Sequence, residues 1–163
     1  MAKMIILIGP PASGKSTWRS KFLASQTEPW VIASTDDLVE EWAAAQTPPL
    51  TYNEAHGKAP WGQFNKTFKY AVRNAQTAGK NILIDRTSMS PKNRLEYFKN
   101  LPEGYEVEAV VFVVPQPELE KRMKERFLAT GKSVPHVALL SMQKRYEAPT
   151  KEEGFHKITY VRP

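Results

Sequence analysis

An α/β fold, built on a parallel sheet with helices on both faces, is predicted for this 163-residue chain by three observations. Short apolar runs alternate along the sequence with helix-period segments. The first run, Met4–Ile8, leads directly into a glycine-rich loop, and the run over 107–114 is rich in valine and closed by Pro115. Near-continuous apolar runs are buried on both sides, and strands joined through helices must return over the sheet, which makes the sheet parallel.

Each element follows from its own residues. The run 4–8 reads as the first strand, and Gly9-Pro10-Pro11-Ala12-Ser13-Gly14-Lys15-Ser16 as a loop opening a helix over about 15–25. A second strand is expected at 30–33, ending in Ser34-Thr35-Asp36-Asp37, where a helix over 36–45 begins at once. Ser34 suits the cap of that helix, with Asp37 three residues on completing a capping box. The stretch 46–60 is the longest without a clear period, and its three prolines disfavour helix; it reads as a loop, either covering a site or merely connecting. Trp61, Phe64, Phe68, Val72 and Ala75 then recur at three- and four-residue steps, predicting a helix over 60–78 with an apolar core face and an end at Gly79. A strand at 81–84 runs into Asp85, and a helix is expected over 91–99 after Pro91. The valine-rich strand at 107–114 is followed by helices at about 117–129 and 135–147 and a last strand near 156–161. In the first of these helices Leu119, Met123 and Phe127 recur every four residues and are expected to face the core, with Arg122 and Arg126 in the neighbouring row.

Composition narrows the function. The length and the 41% hydrophobic content suit one well-buried domain spanning 1–163. No apolar run is long enough to cross a bilayer and no leader pattern opens the chain, so a cytoplasmic protein without membrane contact is expected. There are no cysteines, hence no disulfides and no thiolate zinc site, and His56, His136 and His156 form no local metal-ligand motif. A net charge of +6 favours polyanionic partners, nucleotides and nucleic acids alike.

The chemistry concentrates where ligands bind on parallel sheets, at the carboxyl ends of the strands. The G-x-x-x-x-G-K-S spacing of Gly9 to Ser16 is that of a phosphate cradle: backbone N–H groups and the helix dipole wrap a phosphate, the lysine reaches the β- and γ-phosphates, and the serine hydroxyl ligates magnesium. Asp36, at the end of the second strand, is placed to accept a proton from an attacking hydroxyl. Asp85 suits an outer-shell role, holding a metal-bound water and orienting Ser16. Glu118 is placed to pair with Arg122. However, two arginines four residues apart repel each other, and a shared anion accounts better for Arg122 and Arg126, on a lid helix closing over ATP.

Taken in order, these residues resemble the kinase domain of phage and animal polynucleotide 5′-hydroxyl kinases over nearly the whole chain. Gly9 through Ser16, with Thr17 and Trp18, is similar to the family's phosphate loop, and Asp36 to its general base. Asp85 with Thr87, then Pro91 and Arg94, is similar to its acidic-strand motif; Arg122 and Arg126 match its lid arginines, and Val134-Pro135 the turn after the lid. Arg145 to Thr150 and Glu153-Gly154-Phe155 look most like the animal enzymes.

The resemblance implies a P-loop kinase-type sheet with a helical lid around 117–133, and transfer of the γ-phosphate of ATP, with Mg2+, to the 5′-hydroxyl end of DNA or RNA. It implies catalytic roles for Lys15, Asp36, Arg122 and Arg126, nucleotide contacts from Gly9, Ala12, Ser13, Gly14, Lys15, Ser16, Thr17 and Arg126, and acceptor contacts from Asp36, Thr87 and Arg94. Ser16 would hold the metal directly and Asp85 through water.

Two positions depart from the resemblance: the family usually carries an arginine where this chain has Thr35, and the phage form carries another where this chain has Val39; Lys58, Arg86, Lys92 and Arg94 are the cations available to replace that charge. No Asp-x-Asp-Gly-Thr phosphatase motif is present, so a kinase without 3′-end healing is expected. The competing readings are a kinase of sugars, nucleosides or antibiotics on the same architecture, and an ATPase switch that needs no acceptor base.

Overall fold

The structure, a computed structural model, describes residues 1–163. Five strands, β1 (Lys3–Ile8), β2 (Trp30–Ala33), β3 (Asn81–Asp85), β4 (Glu106–Phe112) and β5 (Lys157–Val161), form one sheet in the order β2-β3-β1-β4-β5. Every pairing is parallel. The ends of β1 and β3 lie level, with Leu7 opposite Asp85, and Ala33 of β2 sits opposite Ile84. The loop after β1, the start of the segment after β2 and Asp85 therefore share one edge of the sheet.

Successive side chains of β1 point to opposite faces, and both faces are covered. Met4, Ile6 and Ile8 enter the larger core, with Phe68, Val72 and Tyr97 packed over them. Ile5 and Leu7 enter the second, under Trp18 and Phe22. Full burial of each such side chain stabilises the fold by about 1.5–3 kcal/mol, which is why the apolar runs could be read as strands. On the second face Trp18 stacks on Phe22 at 4.9 Å, and Phe22 meets Trp30 edge-on at 4.9 Å.

The helices are α1 (Lys15–Ala24), α2 (Thr35–Ala44), α3 (Tyr52–Lys58), α4 (Trp61–Thr77), α5 (Pro91–Phe98), α6 (Gln116–Thr130) and α7 (His136–Arg145), with a 3-10 turn at Lys151–Glu153. The α4 stripe is buried as its spacing predicts, at Phe64, Phe68, Val72 and Ala75, and Gly79 follows with φ +66. None of the helices is long and apolar enough to cross a membrane.

Two expectations need correction. The segment 46–60 is not irregular throughout, because α3 forms between its prolines, capped by Thr51, whose hydroxyl accepts from the Glu54 N–H at 3.3 Å. Its Ala55 joins Val39, Ala43 and Phe64 in a third small core that fixes α3 against α2 and α4. Secondly, only Leu119 of the expected α6 stripe is buried; Phe127 is 52% and Leu128 79% exposed, because no element covers that side of the later turns of α6.

Candidate active site

The carboxyl edge of the sheet opens into a cavity of about 820 Å³ lined by the loop after β1, the start of α2, Asp85 and Thr87 from the end of β3, and Arg122 and Arg126 from α6. Three features of the loop suit a phosphate. Helix α1 starts at Gly14, φ +103, with no side chain capping its first N–H groups and no acid in its first turn, so those donors and the helix dipole face the cavity uncompensated. The Ser13 hydroxyl oxygen is buried without a partner. A Cβ at Gly9 would come within 2.7 Å of Ser13 Oγ and 3.0 Å of Phe112 Cβ, so only glycine lets the loop approach so closely. Ala12 also adopts a left-handed conformation, φ +63, which turns the loop back over the cavity.

Lys15 bends into this loop, and its ammonium donates to the carbonyl oxygens of Gly9 and, at 3.2 Å, Pro10. Burial pulls its pKa down to about 8, against the opposing pull of Asp85 and then Asp36. An ammonium drawn out of water and held by two carbonyls is poised to exchange them for phosphate oxygens. Ser16 and Thr17, one position further along α1, are exposed to the cavity. Arg122 reaches over the loop, its Nη1 3.7 Å from where a Cβ on Gly14 would stand. Its Nε also donates to Glu118 at 3.0 Å, the helical pairing its spacing allows.

On the opposite wall, Ser34 caps α2 by accepting from the Asp37 N–H at 3.2 Å. The Asp37 carboxylate does not reach back to complete a box; it takes both Nη atoms of Arg19, at 3.1 and 2.6 Å. Arg19 Nη1 also donates to Asp85 at 2.9 Å, so one guanidinium on α1 ties together the acids that follow β2 and β3. Asp36 is left free of that network, its side chain 63% exposed at the cavity. No three His, Asp or Glu side chains converge as a metal cage. A magnesium ion is usually held by few protein ligands together with phosphate oxygens; Ser16, Asp36 and Asp85 are among the oxygen-bearing side chains that line this edge.

Helix α3 supplies residues that sequence reasoning missed. His56 Nε2 is 3.9 Å from Asp36 Oδ1, and its ring packs on Tyr52 at 4.1 Å and Trp61 at 5.2 Å. Burial lowers the His56 pKa; Asp36 opposes this and Arg126 reinforces it. The Tyr52 ring in turn lies under the Arg126 guanidinium at 5.4 Å and the Lys132 ammonium at 5.1 Å. Asn53 pins the end of α6, donating to the Gly131 carbonyl at 2.9 Å and accepting from the Ser133 N–H at 3.1 Å. The Thr51-x-x-Glu54 box was the available signal for α3. Arg19, four residues beyond Lys15 and so on the same helix face, was the signal for the bridging guanidinium.

The acceptor-side expectations are only partly met. Thr87 lines the cavity and its carbonyl accepts from the Gly9 N–H at 3.0 Å, locking β3 to the loop. Arg94 does not line it: the residue is fully buried, bound to both Glu153 oxygens at 2.9 and 3.1 Å and to the carbonyls of Ser88 and Glu147 at 2.9 and 3.0 Å. All its donors face protein, so its task is internal. Val39 is 1% and Thr35 7% exposed, Val39 packing in the small core beside α3 where a charge would be unpaired. Of the cations available to replace arginines at those positions, Arg86 alone lines the cavity, held by Asn65 at 3.2 Å and stacked 4.5 Å over Phe68.

The sequence profile of the AAA domain family matches residues 4–149 of this chain. The transcription factor bHLH140 of Arabidopsis thaliana is 29% identical over 162 residues, which make up 96% of this chain and 16% of that protein. The chain thus spans about a sixth of the length of that curated relative. Among solved structures, a chain of the Pnkp1/Rnl/Hen1 RNA repair complex is 26% identical with a TM-score of 0.62, over 90% of this chain and 46% of that one. A gluconokinase from Sinorhizobium meliloti shares the fold, with a TM-score of 0.59 at 17% identity, over 98% of this chain and 82% of its own. The architecture is that of P-loop kinases.

Proposed function

This chain belongs to the AAA domain family, and on that footing we propose that it is an ATP-dependent kinase acting on the 5′-hydroxyl ends of DNA or RNA. Residues 1–163 would act as one kinase domain, with α6 and the turn after it as the lid. The observation that carries this reading is that Asp36, unpaired by any arginine or lysine and exposed, shares one cavity with Lys15, Arg122 and Arg126. The likeness to a chain of an RNA repair complex supports a polynucleotide acceptor.

In this mechanism the loop Gly9 to Thr17 cradles the phosphates of ATP through its N–H groups. Ser16 would hold a magnesium ion directly and Asp85 would hold it through water, and the ion would supply charge neutralisation at the phosphates. Lys15 gives up its carbonyl partners for phosphate oxygens. Asp36 takes the proton of the acceptor hydroxyl as that oxygen forms its bond to the γ-phosphorus, while the bond to the departing ADP oxygen breaks. Arg122 and Arg126 stabilise the charge spread over the transferring group, and Thr87 and Arg86 line the approach of the acceptor. Catalysis is then mostly positioning and electrostatics.

The test is direct. Labelled ATP and magnesium are supplied with a 5′-hydroxyl oligonucleotide, beside a 5′-phosphorylated control and a panel of sugars and nucleosides. Label is expected on the 5′-hydroxyl strand; label confined to the small acceptors would replace the acceptor class, and ATP hydrolysis with no labelled acceptor would leave only an ATPase.

A further inference from the structure

Beyond Arg86 and Thr87, which belong to both, the catalytic cavity adjoins a second open groove of about 810 Å³ between α4, α5 and α7. Its walls are strongly and one-sidedly charged. Lys66, Lys69 and Arg73 stand three and four residues apart on one face of α4, all exposed, facing Lys92 of α5 and Arg145 of α7. None of these five is in an ion pair, and neither is Arg86 at the junction. The seventeen residues of α4 and the ten of α7 include no Asp or Glu. The one acid lining the groove, Glu96, is neutralised by Lys99 at 3.3 Å.

A row of like charges at helical spacing repels itself. Left without counter-charges along a groove that opens off a phosphoryl-transfer cavity, it suits a ligand with regularly repeated negative charge. Tyr70, 69% exposed at the rim, adds a ring on which an unpaired base can stack.

We propose that this groove is the track for the acceptor strand, its lysines and arginines binding the backbone phosphates of a nucleic-acid strand that runs away from the reacting 5′ end. The proposal rests on the polynucleotide reading above, but its test is independent of catalysis. Neither Asp36 nor the phosphate loop takes part, so charge changes here act on strand binding and leave nucleotide binding alone.

The experiment compares wild type with K66E/K69E/R73E and with the neutral K66Q/K69Q/R73Q, both made at solvent-exposed sites, with thermal unfolding checked for each. Binding of a labelled 5′-hydroxyl 16-mer and of a tetramer is measured by fluorescence anisotropy over a salt series without ATP, and ATP affinity in parallel. Wild type should bind the 16-mer more tightly than the tetramer. Loss of three phosphate contacts should lower the salt slope of single-strand binding by about two and weaken 16-mer binding by about tenfold or more at low salt. Tetramer turnover and ATP affinity should stay unchanged. Equal 16-mer affinity in wild type and the charge-reversed variant would overturn the track, as would wild type failing to favour the longer strand. Salt-dependent binding that the variants lose, in a protein that phosphorylates no oligonucleotide, would retain the track and refute the kinase reading; oligonucleotide phosphorylation indifferent to the substitutions would do the reverse.

Discussion

His56 Nε2 stands 3.9 Å from Asp36 Oδ1 and has no hydrogen-bond partner, although it is buried from water. The groups facing it are Asp36 and Glu40 of α2, Arg126 of α6, Lys132 and its own neighbour Tyr52. Burial is the largest influence and lowers its pKa. The folded chain therefore binds the imidazole proton less readily than the unfolded chain, and stability falls as pH drops through and below the unfolded value of about 6.5. His56→Gln is expected to flatten the loss of melting temperature between about pH 7 and pH 5. An unchanged slope in calorimetry at several pH values would show that His56 is not the group responsible.

Asp36→Asn removes the proton acceptor and keeps the shape. Phosphoryl transfer should fall by about 10²–10⁴, while ATP affinity by calorimetry stays within about twofold, since the lysine and loop carry that binding. Basal hydrolysis of ATP without acceptor should not fall in step with transfer. Equal losses of both activities would mean that Asp36 acts on the nucleotide side.

Gly9→Ala inserts a methyl group 2.7 Å from Ser13 Oγ and 3.0 Å from Phe112 Cβ. The strand below is unaffected, so the chain should fold, but the loop must shift outwards. We expect ATP affinity to weaken by about tenfold, some 1.4 kcal/mol, with a smaller effect on melting temperature; calorimetric titration of ATP reads the first and thermal unfolding the second.

Arg19→Lys keeps the charge and loses the fork. A single ammonium cannot reproduce the two bonds to Asp37 together with the bond to Asp85. With the Asp37 side chain 47% exposed and Asp85 12%, the expected loss is about 1–2 kcal/mol after screening. Chemical denaturation should show a lower midpoint with an unchanged slope.

All five strands and six of the seven helices were legible within a residue or two, because strands buried on both faces need continuous apolar runs and because Phe64, Phe68, Val72 and Ala75 repeat at the helical period. Helix α3 was hidden by its length: seven residues give too little period, and the flanking prolines outweighed the Thr51–Glu54 cap. Phe127 misled because periodicity reports a face without saying whether anything covers it. At the site, Lys15, Asp36, Arg122 and Arg126, singled out by loop spacing, strand ends and helix spacing, line one cavity. It could not find the contacts between segments distant in sequence, Arg19 with Asp85 or His56 with Asp36, since those depend on how the elements assemble. Arg94 shows the converse: a motif position alone does not say whether a cation faces solvent or protein.

Arg94 also sets where the unit can be cut. Its guanidinium is anchored by Glu153 and the Glu147 carbonyl, so a fragment ending before Glu153 would take the carboxylate partner from a buried permanent cation, a loss of about 3–5 kcal/mol. Split reporters and grafts into other polypeptides therefore need their seam outside the stretch from 147 to 153, however loosely that stretch is wound. The 3-10 turn before β5 is, in engineering terms, a keystone placed at the rim.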